Sequence, residues 1–159
     1  MEILLKPVAW VINKRQEMTD DFWGDIVSEI ILDESVPETA FNHIVDFSHL
    51  EIIYYFDRVT TGPLPYVRRP RGNPDFPEQG IFAQRNKDRP NHLGLSTVEL
   101  VWHRERSIGV KFLDAIDGTP ILDIKPVFRE FSPQGEIRQP VWVSQLLRDY
   151  WGTENNKIR

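Results

Sequence analysis

The segment "HLEIIYYFDRV", His49 to Val59, decides how the chain folds. Its β-branched and aromatic residues suit a pleated, half-buried surface better than a helix. "DIVSEIILD" (Asp25–Asp33) has the same character, and "SIGVKFLDAI" (Ser107–Ile116) partly alternates apolar with polar or small residues. "LGLSTVELVW" (Leu93–Trp102) and "TPILDIKPVF" (Thr119–Phe128) add two more strand-like runs. The apolar opening "MEILLKPVAWVI" reads as a first strand. Glu2 and Pro7 interrupt it and it lacks a small-residue cleavage site, so it does not read as a signal peptide. No run approaches transmembrane length. The chain is therefore expected to be mainly β: a single-domain small β-barrel, with a short helix and a C-terminal helix packed on it.

The helical segments follow from local signals. "SVPETAFNHI" (Ser35–Ile44) has a proline near its start and predicts one short helix. In "PVWVSQLLRDYWG", Val143, Leu146, Leu147, Tyr150 and Trp151 share one helical face, with Pro140 in the first turn and Gly152 at the C-terminal cap. Residues 1–152 form the expected domain, and 153–159 a fraying tail. Thr61 to Gly80 holds five of the 12 prolines and three glycines, which predicts a long ordered loop of the kind that tends to carry function.

Charge is unevenly spread. The net value is −5, yet Tyr66 to His92 carries six basic and three acidic residues, against four and 12 in Met1 to Pro65. The basic island includes "GIFAQRNKDRPNHLGLS" (Gly80–Ser96), where Arg85, Lys87 and Arg89 separate an apolar run from a glycine-punctuated one. A solvated loop tolerates that arrangement, and a pocket for an anionic or planar ligand requires something like it. The chain has no cysteine, so a disulfide framework and a thiolate metal site are both excluded. His43 and His49 stand at no metal-ligand spacing, and His103 lies among charged residues in an apparent turn. No metal and no membrane partner are expected, and the address is read as cytoplasmic. His92 lies in the basic stretch.

"FLDAIDGTPILDIKP" (Phe112–Pro126) is the second informative segment. Asp117-Gly118 between two strand-like runs reads as a hairpin turn, because glycine accepts the positive φ of a tight turn. Strand alternation would put Ile121, Asp123 and Lys125 on one face and Leu122 and Ile124 on the other. Asp123 and Lys125 then form either a simple ion pair or a site that holds a carboxylate ready.

"RRPRGNPDFPEQGIFAQRNKDRPNHLGLS" followed by "LDAIDGTPILDIKP" resembles the TrmO family, also called YaeB or TsaA-like. The family pattern runs approximately H-P-R-G, then G-[VI]-F-A-T-R-S-x-x-R-P-N-P-[IL]-G, then L-D-x-x-D-G-T-P-V-[LV]-D-I-K-P-Y. The likeness is dense over Arg69–Leu95 and Leu113–Pro126. Arg69 stands in place of the motif's histidine, Gln84 of Thr, Asn86 of Ser, His92 of Pro and Val127 of Tyr. The resemblance implies a small β-barrel methyltransferase that uses S-adenosylmethionine, forms a homodimer and acts on tRNA. The family's substrate is N6-threonylcarbamoyladenosine beside the anticodon, methylated on that nitrogen.

Carried onto this sequence, the resemblance implies cofactor contacts from Phe56, Asp57, Arg85, Leu95, Ile116, Asp117, Gly118 and Thr119. Arg69, Arg71 and Arg89 are expected to face RNA. Asp123, held by Lys125, is the candidate base or positioner, and Asn91 would orient the modified base. Two rivals stand beside this reading. One is a module that senses S-adenosylmethionine or modifies a different acceptor, and the other is a plain β-barrel interaction protein.

Overall fold

A computed structural model describes residues 1–60 and 62–153. The expected fraying of the tail falls, from residue 154 onward, outside the described residues. Six strands close into an antiparallel barrel: β1 (Ala9–Ile12), β2 (Val27–Leu32), β3 (His49–Tyr55), β6 (Leu93–Arg104), β7 (Ser107–Lys111) and β8 (Pro120–Pro126). Their order around the barrel is β1-β2-β7-β6-β3-β8, with β8 returning to β1. Closure leaves these strands without open edges. A two-stranded ribbon, β4 (Val67–Arg68) with β5 (Gln79–Gly80), organises the proline-rich loop beside it.

The strands form where the side chains alternate. In β3, Leu50, Ile52 and Tyr54 point inward and are buried, and β6 answers with Gly94, Ser96 and Val98. Val11, Ile30, Ile108, Val110 and Ile121 complete the interior from the other strands. Each such aliphatic side chain contributes about 1.5–3 kcal/mol of burial free energy.

Five expectations are corrected. The first strand begins only at Ala9, since Pro7 lies just before it. Ser35–Ile44 does not hold one helix: two 3₁₀ turns, Glu38–Phe41 and Ile44–Asp46, are separated by His43 at φ 63°. The C-terminal helix α1 spans only Val141–Leu146, because the chain then turns to pair with the N-terminal loop. There Phe22, Trp23 and Gly24 donate backbone hydrogen bonds to the carbonyls of Asp149, Tyr150 and Gly152.

The remaining two corrections concern the second informative segment. Asp117-Gly118 is not a hairpin turn, since β7 pairs with β2 and β6 while β8 pairs with β1 and β3. The turn, with Gly118 at φ 80°, instead closes the barrel seam. Gly118 N donates to the Val11 carbonyl at 2.8 Å, and Val11 N donates to the Thr119 carbonyl at 3.0 Å. In β8, the register shifts opposite Ile53 and Tyr54, which pair with Asp123 and Ile121. The bulge at Leu122 breaks the period of two, so Ile121 and Ile124 both pack on the core while Asp123 and Lys125 stay outside.

Candidate functional site

One end of the barrel is walled off by six chain segments instead of being filled by its own strands. The N-terminal loop, the exit of β3, the two basic loops, the 114–119 connection and the C-terminal segment enclose a cavity of about 500 Å³. That volume lies within the range of small-molecule sites, roughly 300–1,000 Å³.

A carboxylate reaches into this cavity. Asp114, just after β7, receives Tyr54 Oη at 2.9 Å and Ser96 Oγ on one oxygen, and Tyr150 Oη on the other. The donors arrive from β3, β6 and the C-terminal segment, so three distant parts of the chain fix one side chain. Burial pushes both phenols well above their ordinary value, and the Asp114 charge pushes them further. Both therefore remain hydrogen-bond donors at neutral pH. Gly94 makes the arrangement possible: an added Cβ would lie 2.2 Å from the Tyr54 ring, where only hydrogen now sits.

The basic loops form the opposite wall. Arg68 and Lys87 share Asp88, at 2.9 and 3.1 Å. Burial alone would raise the Asp88 carboxyl, but those two hydrogen bonds outweigh it and hold the group below its ordinary range. Gln84 is buried and its amide ties together the carbonyls of Arg68 and Gln79. Asn86 donates to Gln84, while its own Oδ1 is buried with no hydrogen-bond partner among the described residues. An orphaned acceptor on a cavity wall calls for a donor from a ligand.

Of the sequence-derived cofactor residues, Phe56, Asp57, Arg85, Ile116 and Thr119 line the cavity. Leu95 does not, but its carbonyl accepts Arg85 Nη2 at 2.5 Å and so aims that guanidinium. Asp117 and Gly118 stand behind the wall. The Asp117 carboxylate accepts Asn13 N and Gln16 Nε2, and the Arg58 guanidinium bonds the Asp117 carbonyl at 2.8 Å.

Arg69 and Arg71 also line the cavity, yet their charges are engaged within the chain. Arg71 forms a two-pronged pair with Asp21 at 2.8 and 2.9 Å, which clasps the basic loop to the N-terminal loop. Arg69 bonds the Phe76 carbonyl at 2.6 Å, and Arg89 bonds the Gln84 carbonyl at 3.2 Å without reaching the cavity.

The expected catalytic set is not gathered here. Asp123 and Lys125 pair at 2.6 Å on the outer face of β8, roughly half exposed, because of the bulge at Leu122. Asn91 is exposed beyond the wall. The residues that do meet there are Asp114, Tyr150 and Trp142 on the cavity wall, with Tyr54 and Ser96 donating to Asp114 from the barrel; helical periodicity marked only Tyr150 among them, as a packing position. Asp114 was nonetheless readable as the first aspartate of the L-D-x-x-D-G-T-P pattern.

A closed six-stranded barrel with an end cavity, an acidic anchor and a basic wall defines a small-molecule-binding β-barrel of the kind that can also meet an anionic polymer. Residues 18–132 match the family described as tRNA-methyltransferase O N-terminal domain, and the chain belongs to that family. An S-adenosyl-L-methionine-binding protein of Archaeoglobus fulgidus is 30% identical over 136 residues, 83% of this chain and 91% of that protein. The tRNA (adenine(37)-N6)-methyltransferase of Escherichia coli is 46% identical over 88 residues, which span 50% of this chain but only 36% of that enzyme. A crystal structure of TrmO from Pseudomonas aeruginosa superposes with a TM-score of 0.68 at 20% identity, covering 89% of this chain and 63% of that one. That likeness establishes the fold.

Proposed function

We propose that this chain is an S-adenosylmethionine-dependent methyltransferase acting on tRNA, with N6-threonylcarbamoyladenosine beside the anticodon as its substrate. The observation that carries the proposal is the cavity, where Phe56 at the exit of β3, Arg85 from the first motif, and Ile116 and Thr119 from the second meet. Its lining suits the cofactor. Phe56, Ile116 and Trp142 offer apolar surface for adenine, the orphaned Asn86 Oδ1 can accept from its amino group, and Arg85 can pair with the methionine carboxylate. When bound, S-adenosylmethionine supplies an electrophilic methyl group.

The protein's own contribution is placement. A walled cavity excludes water, and the arginine-rich mouth receives a phosphate-bearing acceptor. Holding the acceptor nitrogen in line with the methyl group then provides much of the rate. Asp123 and Lys125 would take part only from outside this cavity, so the proposal assigns the pair to bracing β8. A homodimer and a cytoplasmic location belong to the same reading. Among the described residues, no helix is long and apolar enough to cross a membrane.

A second reading has its own support. Two archaeal relatives, named as an S-adenosyl-L-methionine-binding protein and a probable one, are of comparable length, with 91% and 97% of them covered. A binding module without tRNA activity would fit that company. Mass spectrometry of tRNA nucleosides, after incubation of hypomodified tRNA with the purified protein and labelled S-adenosylmethionine, separates the two. Label on N6-threonylcarbamoyladenosine is expected. Cofactor binding with no labelled nucleoside would favour the binding module.

A further inference from the structure

We infer that Asp114 is the carboxylate that recognises the sulfonium charge of S-adenosylmethionine and so distinguishes it from the neutral thioether left after transfer. The inference rests on the reading of the cavity as a cofactor site, and it adds a specificity-determining residue to that site.

Four carboxylates line the cavity: Asp20, Asp57, Asp88 and Asp114. Asp88 is neutralised by Arg68 and Lys87, and Asp20 lies 3.5 Å from Arg71. Asp57 is exposed, where water screens its charge. Asp114 alone combines partial burial with partners that are hydroxyls only. Hydroxyls orient a carboxylate without cancelling it. Its full negative charge therefore remains available to a ligand.

The hydrogen-bond count selects the kind of cation. An ionised carboxylate has roughly four lone-pair sites, and a primary ammonium brings three donors. Tyr54, Ser96 and Tyr150 already occupy three of those sites on Asp114. An ammonium would find too few acceptors here. A sulfonium carries charge without N–H or O–H donors, so it needs the field and not the lone pairs.

The surroundings make such a group necessary. Arg58 and Arg85, whose hydrogen bonds go to backbone carbonyls, also line the cavity, and they would repel a positively charged ligand left without a counter-charge. Three donors from three chain segments hold Asp114 in place before binding, so little reorganisation accompanies it. One of them, Tyr150, lies beyond the 18–132 stretch shared with the family, so the C-terminal segment completes the anchor.

Calorimetry on the full chain tests this with three ligands: S-adenosylmethionine, the thioether S-adenosylhomocysteine, and sinefungin, whose amine places a positive charge at the sulfonium position. The unaltered protein is expected to bind S-adenosylmethionine at least about tenfold tighter than the thioether, a difference of about 1.4 kcal/mol, whereas the ammonium of sinefungin, short of acceptors, is expected to gain less. Asp114→Asn is expected to remove that preference, weakening S-adenosylmethionine about tenfold or more while leaving the thioether within about threefold. Equal affinity of the unaltered protein for S-adenosylmethionine and the thioether would overturn the inference alone. So would equal loss of both in Asp114→Asn. If Asp114→Asn does not fold, the ligand series on the unaltered protein still decides. Failure of any ligand to bind would overturn the cofactor reading itself and the inference with it.

Discussion

Replacing Tyr150 by phenylalanine removes one oxygen atom and with it one of the three donors to Asp114. A hydrogen bond to a charged group contributes about 1.5–3 kcal/mol. Tyr54 and Ser96 both donate to the other carboxylate oxygen, so the substitution leaves Oδ2 without its donor and the loss should fall at the upper end, about 2–3 kcal/mol near neutral pH. The pH dependence gives the argument its sharper edge. Burial and Asp114 raise the folded-state pKa of Tyr150 above the ordinary 10.0. Its contribution is therefore fully present below pH 10 and declines as pH climbs from there toward the raised folded value. One pH unit above 10, ionisation of the unfolded tyrosine should narrow the gap between wild type and Tyr150→Phe by about 1.4 kcal/mol. Urea unfolding followed by tryptophan fluorescence at pH 7, 9 and 11 measures both quantities. A gap that stays constant from pH 7 to 11, or one under about 0.5 kcal/mol at pH 7, would refute the buried hydroxyl–carboxylate cluster.

Further outcomes follow from other contacts. Arg85→Ala should weaken S-adenosylmethionine binding by about 1.5–3 kcal/mol and change stability by about 0–1 kcal/mol; calorimetry showing unchanged affinity would remove Arg85 from the site. Gly94→Ala sets a methyl group 2.2 Å from the Tyr54 ring and should cost about 1–3 kcal/mol, read from the urea midpoint. Arg71→Ala releases the pair with Asp21, so proteolysis within residues 13–25 should accelerate, with about 1 kcal/mol lost in stability. Asp123→Asn breaks only an exposed outer pair, and near-normal methyl transfer is expected; a hundredfold loss, about 2.7 kcal/mol in the barrier, would return that residue to the chemistry.

The strands were legible because their signal is local. Ile52, Tyr54 and Val98 sit in runs whose composition already favours a pleated chain, and burial of the inward face reinforces it. Arg85, Ile116 and Thr119 were named through motifs shared with the family, and they line the cavity together with Phe56 and Asp57. Asp123 and Lys125 share a face and pair as the alternation suggested, but they lie outside the cavity for a definite reason. A single bulged residue, Leu122, takes Ile121 off the face that Asp123 and Lys125 share, and a bulge depends on the pairing partner across the ladder.

Asp117-Gly118 shows the boundary between the two kinds of information. The sequence by itself determined a positive-φ turn there, because only glycine adopts that conformation freely. Whether the turn joins neighbouring strands or seals a barrel depends on β1, more than 100 residues earlier, whose Val11 bonds both Gly118 and Thr119. The anchor around Asp114 is decided in the same way. Tyr54, Ser96, Asp114 and Tyr150 are scattered along the chain and carry no mutual spacing. Barrel closure and the clasp between residues 22–24 and 149–152 bring them together. Local preferences act between near neighbours, whereas a site assembled from four distant segments exists only once the sheet has closed.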